Sequence, residues 1–191
     1  MAHDVFVSYS SPDKPVADAL CASFEREGIR VWIAPRDILP GKLWGEAIID
    51  AINASKLMIV VFSSNSNNSN QVLREVERAV SKGVAIIPFR IENVVPSKSM
   101  EYFLSSPHWL DALTPPLEKH AQKLTNIANL LLSNQFALDQ LAETDKPPAK
   151  VASTATTAGK QTSSEDVSLD DWYKRKKDTI WNTVLSLFDE K

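Results

Sequence analysis

Glu75 is the residue whose type and position most favour chemistry. The apolar residues 57–62 (LMIVVF) predict a strand buried on both faces, because an exposed face would alternate polar with apolar side chains. The polar stretch 63–70 then leads into a helical pattern, which puts Glu75 near the start of a helix and above the carboxyl end of that strand. Ligands bind at that edge of open α/β sheets. The alternative is a solvated helix residue that the helix dipole favours.

Several enzyme classes lack their motifs in this chain. Its five glycines form neither G-x-G-x-x-G nor a P-loop, which argues against a dehydrogenase or a P-loop NTPase. The single cysteine and three scattered histidines suggest no zinc site, and no serine lies on the glycine-flanked elbow of a hydrolase. Tyr9, Ser10 and Ser11 stand where a response regulator needs paired carboxylates. We therefore predict no metal site, and Glu75 remains the main candidate group.

The elements that position Glu75 alternate along the chain. Short apolar runs predict strands at 4–9, 29–33, 57–62, 84–89 and 108–110. Helical periodicity lies between them, at 14–27, 44–54, around Glu75 and at 100–104, and again from 117 to 131. This alternation with short turns predicts an α/β fold with an open parallel sheet and helices on both faces.

The chain is long enough for one core and a tail. Its 191 residues are 43% hydrophobic and 24% charged. We predict a domain at 1–135, a flexible Ala/Thr/Ser/Pro-rich linker at 136–167 and a C-terminal amphipathic helix at 168–191. With a net charge of −3 we expect no nucleic-acid partner recognised by bulk charge. Lone Cys21, the lack of a long apolar run and the lack of a signal sequence predict a soluble, cytoplasmic protein.

Four stretches in order along residues 4–133 resemble the successive boxes of a bacterial TIR (Toll/interleukin-1 receptor) domain of the NAD-consuming type. They are 4–10 (DVFVSYS), 29–33 with 37–41 (IRVWI, DILPG), 59–63 with Ser69 and Glu75, and 108–109 (HW). The resemblance implies a flavodoxin-like fold in which residues 34–43 form the BB loop. It also implies one of two functions: assembly as an adaptor, or cleavage of NAD⁺ at the nicotinamide–ribose bond.

The resemblance also implies which residues form the site. In enzymatic members the catalytic glutamate follows the pattern Ser-x-Trp-x-x-x-Glu, and this chain keeps Ser69 and Glu75 at that spacing with Gln71 in the tryptophan position. Glu75 is therefore the expected catalytic residue, with Ser69 and Gln71 beside the substrate. We expect the remaining pocket to comprise a floor of Tyr9, Ser10 and Ser11 and a lid of Arg36, Asp37 and Trp44. Two alternatives stay open: Trp44 is a core residue, and Arg36 pairs with Asp37 or with a neighbouring subunit.

The implied reaction has a physical reason to use a carboxylate. As nicotinamide leaves, the ribose gains oxocarbenium character, which a nearby glutamate stabilises while it holds the ribose hydroxyls. The leading hypothesis is a cytoplasmic NAD⁺ glycohydrolase or cyclase in antiphage defence, with NAD⁺ as substrate and no cofactor. The second is a non-enzymatic TIR adaptor or a host-directed effector.

Partners follow from the same resemblance. We expect self-association through the BB loop (34–43), and a separate effector protein that reads the product. Trp172, Tyr173, Ile180 and Trp181 give the terminal helix an apolar side, which favours docking on the TIR domain or on a partner protein. The basic run 174–177 is flanked by aspartates, so we do not expect a membrane partner.

Overall fold

Five parallel strands form the centre of the fold. The structure, a computed structural model, describes residues 3–105 and 108–144. The strands are β1 (Val5–Ser8), β2 (Val31–Ile33), β3 (Leu57–Phe62), β4 (Ala85–Arg90) and β5 (Leu110–Asp111). The helices are α1 (Lys14–Arg26), α2 (Trp44–Ala54), α3 (Ser64–Asn67), α4 (Asn70–Ser81), α5 (Lys98–Leu104) and α6 (Leu117–Thr144), with a 3₁₀ turn at Ser11–Asp13.

The strands lie in the order β2-β1-β3-β4-β5. Every pair is parallel, and Val7 lies beside Ile59, which in turn lies beside Ile87. This is the flavodoxin-like arrangement, in which a right-handed crossover helix joins successive strands. The predicted α/β fold with an open parallel sheet is therefore confirmed.

Strand β3 explains why the sheet has helices on both faces. All six of its side chains are buried, and successive side chains of a strand point to opposite faces. On one face Met58, Val60 and Phe62 belong to a core cluster with apolar residues of α2, α4 and α5. The buried apolar stripes of α1 and α6 cover the other face, and the Ser23 and Thr125 hydroxyls of these two helices lie 2.9 Å apart.

The order of the strands opens a crevice between the carboxyl ends of β1 and β3. The chain leaves β1 toward α1 on one face of the sheet and leaves β3 toward α3 and α4 on the other. The two connections therefore diverge at this point, where the strand order reverses. Ser8, the last residue of β1, and α4 lie at this crevice.

The polar stretch after β3 contains a short helix and is not a plain loop. Residues 64–67 form the short helix α3, and Ser63 and Ser66 make a reciprocal capping box at its start. The buried Asp13 carboxylate accepts hydrogen bonds from the Ser63 hydroxyl at 2.6 Å and from the Asn65 amide at 3.1 Å. Side chains that favour caps and turns thus also begin a helix when a second element supplies acceptors for them.

Helix α6 extends past the predicted end of the domain at residue 135 and reaches Thr144. Contacts divide the chain into units at 1–132 and 133–191. The C-terminal helix predicted at 168–191, and all but the start of the linker predicted at 136–167, lie outside the described residues, so these boundaries stay predictions. Within 3–105 and 108–144, no helix is long and apolar enough to cross a membrane.

Candidate active site

Glu75 lies on the inner face of α4 and is 7% exposed. The Ser8 hydroxyl donates a hydrogen bond to Glu75 Oε2 at 2.6 Å, and the Gln71 side-chain amide donates to Glu75 Oε1 at 2.8 Å. Gln71 precedes Glu75 by one helical turn, and Ser8 ends β1. Each carboxylate oxygen therefore has a fixed donor from a different element.

Burial and hydrogen bonding act on the Glu75 carboxyl in opposite directions. Removal from water raises its pKa, and the bonds from Ser8 and Gln71 oppose this effect only in part, so the pKa stays above its ordinary value. A carboxyl whose pKa is raised by burial at the edge of a crevice is typical of a functional site.

A cavity of about 310 Å³ opens beside Glu75 at the crevice between β1 and β3. Its lining combines a carboxylate, an amide, three aromatic residues and several aliphatic ones, and includes Phe6, Tyr9, Ser11, Ala34, Trp44, Gln71 and Glu75. The volume lies near the lower end of the range for small-molecule sites. Aromatic and apolar walls with a few converging polar groups are the usual composition of such sites.

Tyr9 joins the two sides of this cavity. Its hydroxyl donates a hydrogen bond to the Ala34 carbonyl oxygen at 2.5 Å, which ties the segment after β1 to the loop after β2. Burial also raises the pKa of the Tyr9 hydroxyl. The Tyr9 hydroxyl is therefore paired within the protein and stays protonated at neutral pH.

A second cavity of about 400 Å³ lies between α2 and α4 and meets the first at Glu75. Ile48, Gln71 and Glu75 line both cavities. The carboxylate thus lies at the junction of two spaces, one beneath Tyr9 and Trp44 and one along the groove between the helices.

The sequence model of the family described as TIR domain matches residues 5–126. The chain belongs to the TIR domain family. Among solved structures, the chain is similar to the TIR domain of the Toll-related receptor TRR-2 from Hydra magnipapillata, with 26% identity and a TM-score of 0.52 over 72% of this chain and 98% of that one.

A second solved structure is a metazoan TIR-STING receptor from C. gigas in complex with 2′,3′-cGAMP. It has 22% identity and a TM-score of 0.50 over 74% of this chain and 47% of that one, so the likeness shows the fold alone. No curated protein sequence matches the chain significantly.

The TIR domain brings five of the expected site residues to the first cavity, and they are Tyr9, Ser11, Trp44, Gln71 and Glu75. Trp44 is 53% exposed, so it is not the core residue of the alternative interpretation. Trp32, by contrast, is buried and stacks on Phe6, with ring centroids 5.0 Å apart.

Arg36 and Asp37 lie elsewhere, beside a separate cavity of about 520 Å³ next to β2 and α2. Arg36 donates to Asp37 at 2.9 Å and to Glu25 at 2.6 Å, and Asp37 accepts from the Ile33 backbone amide at 2.9 Å. The structure therefore shows the pairing of Arg36 with Asp37 that the sequence left open. It does not place either side chain at Glu75.

Ser10 and Ser69 lie at the starts of the 3₁₀ turn and of α4. Ser69 is the N-cap of α4, and its hydroxyl accepts from the Val72 amide at 3.3 Å. Ser10 begins the 3₁₀ turn, and its carbonyl oxygen accepts from the Asp13 amide at 2.8 Å. Neither side chain is among those that line the cavity beside Glu75.

Sequence reasoning missed Ser8 and Lys14. Ser8 is a buried polar residue at the end of an otherwise apolar strand, and this pattern was a usable signal because a buried hydroxyl needs a partner. Lys14 lines the cavity while its ammonium bonds the Asp18 carboxylate at 2.6 Å, and nothing in the sequence pattern marks it. Among residues 3–105 and 108–144, no group of three or more His, Cys, Asp and Glu could hold a metal ion.

Proposed function

We propose that this TIR domain cleaves NAD⁺ at the bond between nicotinamide and ribose, as a glycohydrolase or a cyclase, with Glu75 as the catalytic carboxylate. The observation that carries the proposal is the position of Glu75. It is a buried carboxylate at the junction of two cavities, with its oxygens held by Ser8 and Gln71.

The chemistry follows from this position. The C1′–N bond breaks with its electron pair going to nicotinamide, and positive charge develops at C1′ and the ring oxygen of the ribose. An ionised Glu75 stabilises that charge more strongly in a water-poor cavity than it would in bulk water. Water then adds to C1′ and loses a proton to give ADP-ribose, or an atom of the adenine base adds to give a cyclic product.

The first cavity suits the leaving group. Nicotinamide is a flat aromatic ring, and the aromatic residues Trp44 and Tyr9 line the cavity. Because the Tyr9 hydroxyl is bonded to the Ala34 carbonyl oxygen, the ring is held at a fixed angle. We assign this cavity to nicotinamide and its ribose.

A nicotinamide-release assay tests the proposal. The full chain, concentrated or with a crowding agent, is incubated with NAD⁺, and wild type is compared with Glu75→Gln. Glu101→Gln is the matched control because Glu101 is an exposed carboxylate on α5 that lines neither of the two cavities at Glu75. We expect release from wild type and the control and at least ~100-fold less from Glu75→Gln. Equal release from all three would remove Glu75 from the mechanism.

A second candidate function, a TIR adaptor or host-directed effector, is favoured by the surface of the BB loop (34–43). Leu39 is 65% exposed and Leu43 is 68% exposed, and large apolar side chains clustered on a surface are typical of interaction sites. Sizing at several concentrations compares wild type with a Leu39→Asp/Leu43→Asp variant. Loss of assembly in the variant, with no nicotinamide release from wild type under any condition, would establish the adaptor function instead.

The biological setting belongs to the same proposal. We place the protein in the cytoplasm as a defence enzyme whose NAD⁺-derived product is read by a separate effector protein. Self-association through the BB loop is compatible with both candidate functions, so the nicotinamide assay and not the sizing experiment separates them.

A further inference from the structure

The groove between α2 and α4 contains two arginines that the proposed reaction does not use. One wall is apolar and the other is charged, and the lining includes Ile48, Ile49 and Ile52 of α2 and Arg74, Glu77 and Arg78 of α4. In the part of the chain that the structure describes, neither arginine forms an ion pair. The groove lining includes two carboxylates, the buried Glu75 and the exposed Glu77.

Arg78 has a buried polar atom without a partner. Its Nε is removed from solvent and makes no hydrogen bond within the described residues. The nearby Ser81 hydroxyl does not serve it, since that hydroxyl donates to the Arg78 backbone carbonyl at 2.8 Å. Buried N–H groups are nearly always paired, and an unpaired one costs free energy until an acceptor arrives. The Nε–H group of Arg78 therefore has no acceptor in the described residues, and a ligand bound in the groove can supply one.

The spacing along α4 relates Arg78 to the catalytic carboxylate. Gln71, Glu75 and Arg78 occupy positions i, i+4 and i+7, which lie on one face of a helix. Residues three apart on a helix have Cβ atoms roughly 5–6 Å apart. Arg78 therefore lies one turn along α4 from Glu75, on the same side of the helix, and both residues line the groove.

We propose that this groove binds the phosphate groups of a nucleotide substrate, with Arg78 as the main anion-binding residue and Arg74 as the second. The inference rests on the proposed function, because it assigns to the groove the part of the substrate that does not react. In NAD⁺ the diphosphate is one ribose away from the cleaved bond. A planar guanidinium with several donors matches phosphate oxygens.

Local charge is needed here because the chain as a whole does not attract anions. Its formal net charge is −3, and Glu77 adds a further negative charge to the groove. Two unpaired arginines beside an apolar wall concentrate positive charge where water is partly excluded, which strengthens each contact with phosphate. The groove therefore selects for phosphorylated nucleosides over free nucleosides.

A substrate pair with the same reacting bond tests this inference. KM and kcat are measured for NAD⁺ and for nicotinamide riboside, which has no phosphate, using wild type, Arg78→Gln and Arg78→Lys. We expect Arg78→Gln to raise KM for NAD⁺ about tenfold or more and to leave KM for nicotinamide riboside unchanged. Arg78→Lys keeps the charge and should restore part of the loss. Arg26→Gln, exposed on α1, is the matched control.

A binding measurement makes the result independent of catalysis. ADP-ribose is titrated calorimetrically into full-length Glu75→Gln with and without Arg78→Gln, after circular dichroism has shown that both variants are folded. A tenfold weaker affinity for ADP-ribose with Arg78→Gln supports the groove assignment whether or not the protein cleaves NAD⁺. Absence of NAD⁺ cleavage in every variant refutes only the proposed function.

Three outcomes overturn the inference. They are unchanged ADP-ribose affinity in folded Arg78→Gln, an equal rise of KM for NAD⁺ and nicotinamide riboside, and no rescue by Arg78→Lys. Should Arg78→Gln fail to fold, exposed Arg74→Gln takes its place, with a smaller loss of the same kind expected. Unchanged ADP-ribose affinity in Arg74→Gln then overturns the inference.

Discussion

Replacing Glu75 by glutamine should make the protein more stable while it removes the proposed activity. The reason lies in the cost of burying a charge. An ionised carboxylate taken out of water carries an effective penalty of several kcal/mol, and each hydrogen bond to a charged group returns about 1.5–3 kcal/mol. The pKa of Glu75 is raised despite the bonds from Ser8 and Gln71, so the penalty exceeds the return.

Glutamine at this position keeps the hydrogen bonds without the charge. Its carbonyl oxygen accepts from the Ser8 hydroxyl, and the Gln71 amide turns over to offer its oxygen to the new NH₂ group. We therefore expect Glu75→Gln to raise the free energy of unfolding by about 1–2 kcal/mol at pH 8. For a chain of this length the corresponding rise in Tm is about 2–8 °C.

The pH dependence identifies the cause. A group whose folded-state pKa is raised contributes stability that is fully present below its unfolded pKa, here near 4.5, and is lost as pH rises through the folded pKa. The wild type should thus lose stability relative to Glu75→Gln from pH 4.5 upward, until Glu75 is fully ionised. Urea unfolding of the full chain, followed by circular dichroism from pH 4.5 to 8, measures this difference.

The control for this experiment is Glu101→Gln, which removes an exposed carboxylate and should show no such trend. A wild type that is as stable as Glu75→Gln at pH 8, or a difference that does not change with pH, would refute the reasoning. Either result would mean that the fold does not disfavour the ionised form of Glu75, and the site would then lack the desolvation on which the proposed electrostatic catalysis depends.

Three further predictions concern single groups. Gln71→Met removes a donor that lowers the pKa of Glu75, so the acidic limb of the pH profile for nicotinamide release should move to higher pH. Asp13→Asn should lower the free energy of unfolding by about 1–3 kcal/mol in urea, because an NH₂ group replaces one of the oxygens that accept from Ser63 and Asn65. Cys21 should resist iodoacetamide at pH 8 and react once urea unfolds the chain, because burial raises the pKa of its thiol to about 12.

The sheet could be predicted because its signal is local. Strand β3 is apolar at every position, and the helix after it, α4, shows a clear 3.6-residue period that begins after the N-cap Ser69 and ends just before Gly83. Alternation of such segments leaves few topologies, since crossovers are right-handed and parallel strands need them. The order β2-β1-β3-β4-β5 adds what the pattern alone does not contain, namely which strands are neighbours.

The site was harder to predict because its partners are far apart in sequence. Glu75 could be found from its place after a buried strand, but Ser8 lies 67 residues away and reaches it through the pairing of β1 with β3. Arg36 and Asp37 were placed at the lid from sequence position, yet adjacent opposite charges satisfy each other locally. A position within the BB loop (34–43) therefore does not determine which cavity a side chain lines.

Gln71 stands where the resemblance to enzymatic TIR domains implies a tryptophan, and its contact with Glu75 gives this difference a chemical meaning. A tryptophan offers a single N–H donor, whereas an amide offers both a donor and an acceptor. Gln71 donates to the ionised Glu75 carboxylate at 2.8 Å, and after a turn of its amide it accepts from the protonated carboxyl. Because the pKa of Glu75 is raised, both protonation states occur closer to neutral pH than for an ordinary glutamate. Gln71 is thus suited to hold Glu75 in one orientation on both sides of that transition, which a donor-only side chain is not.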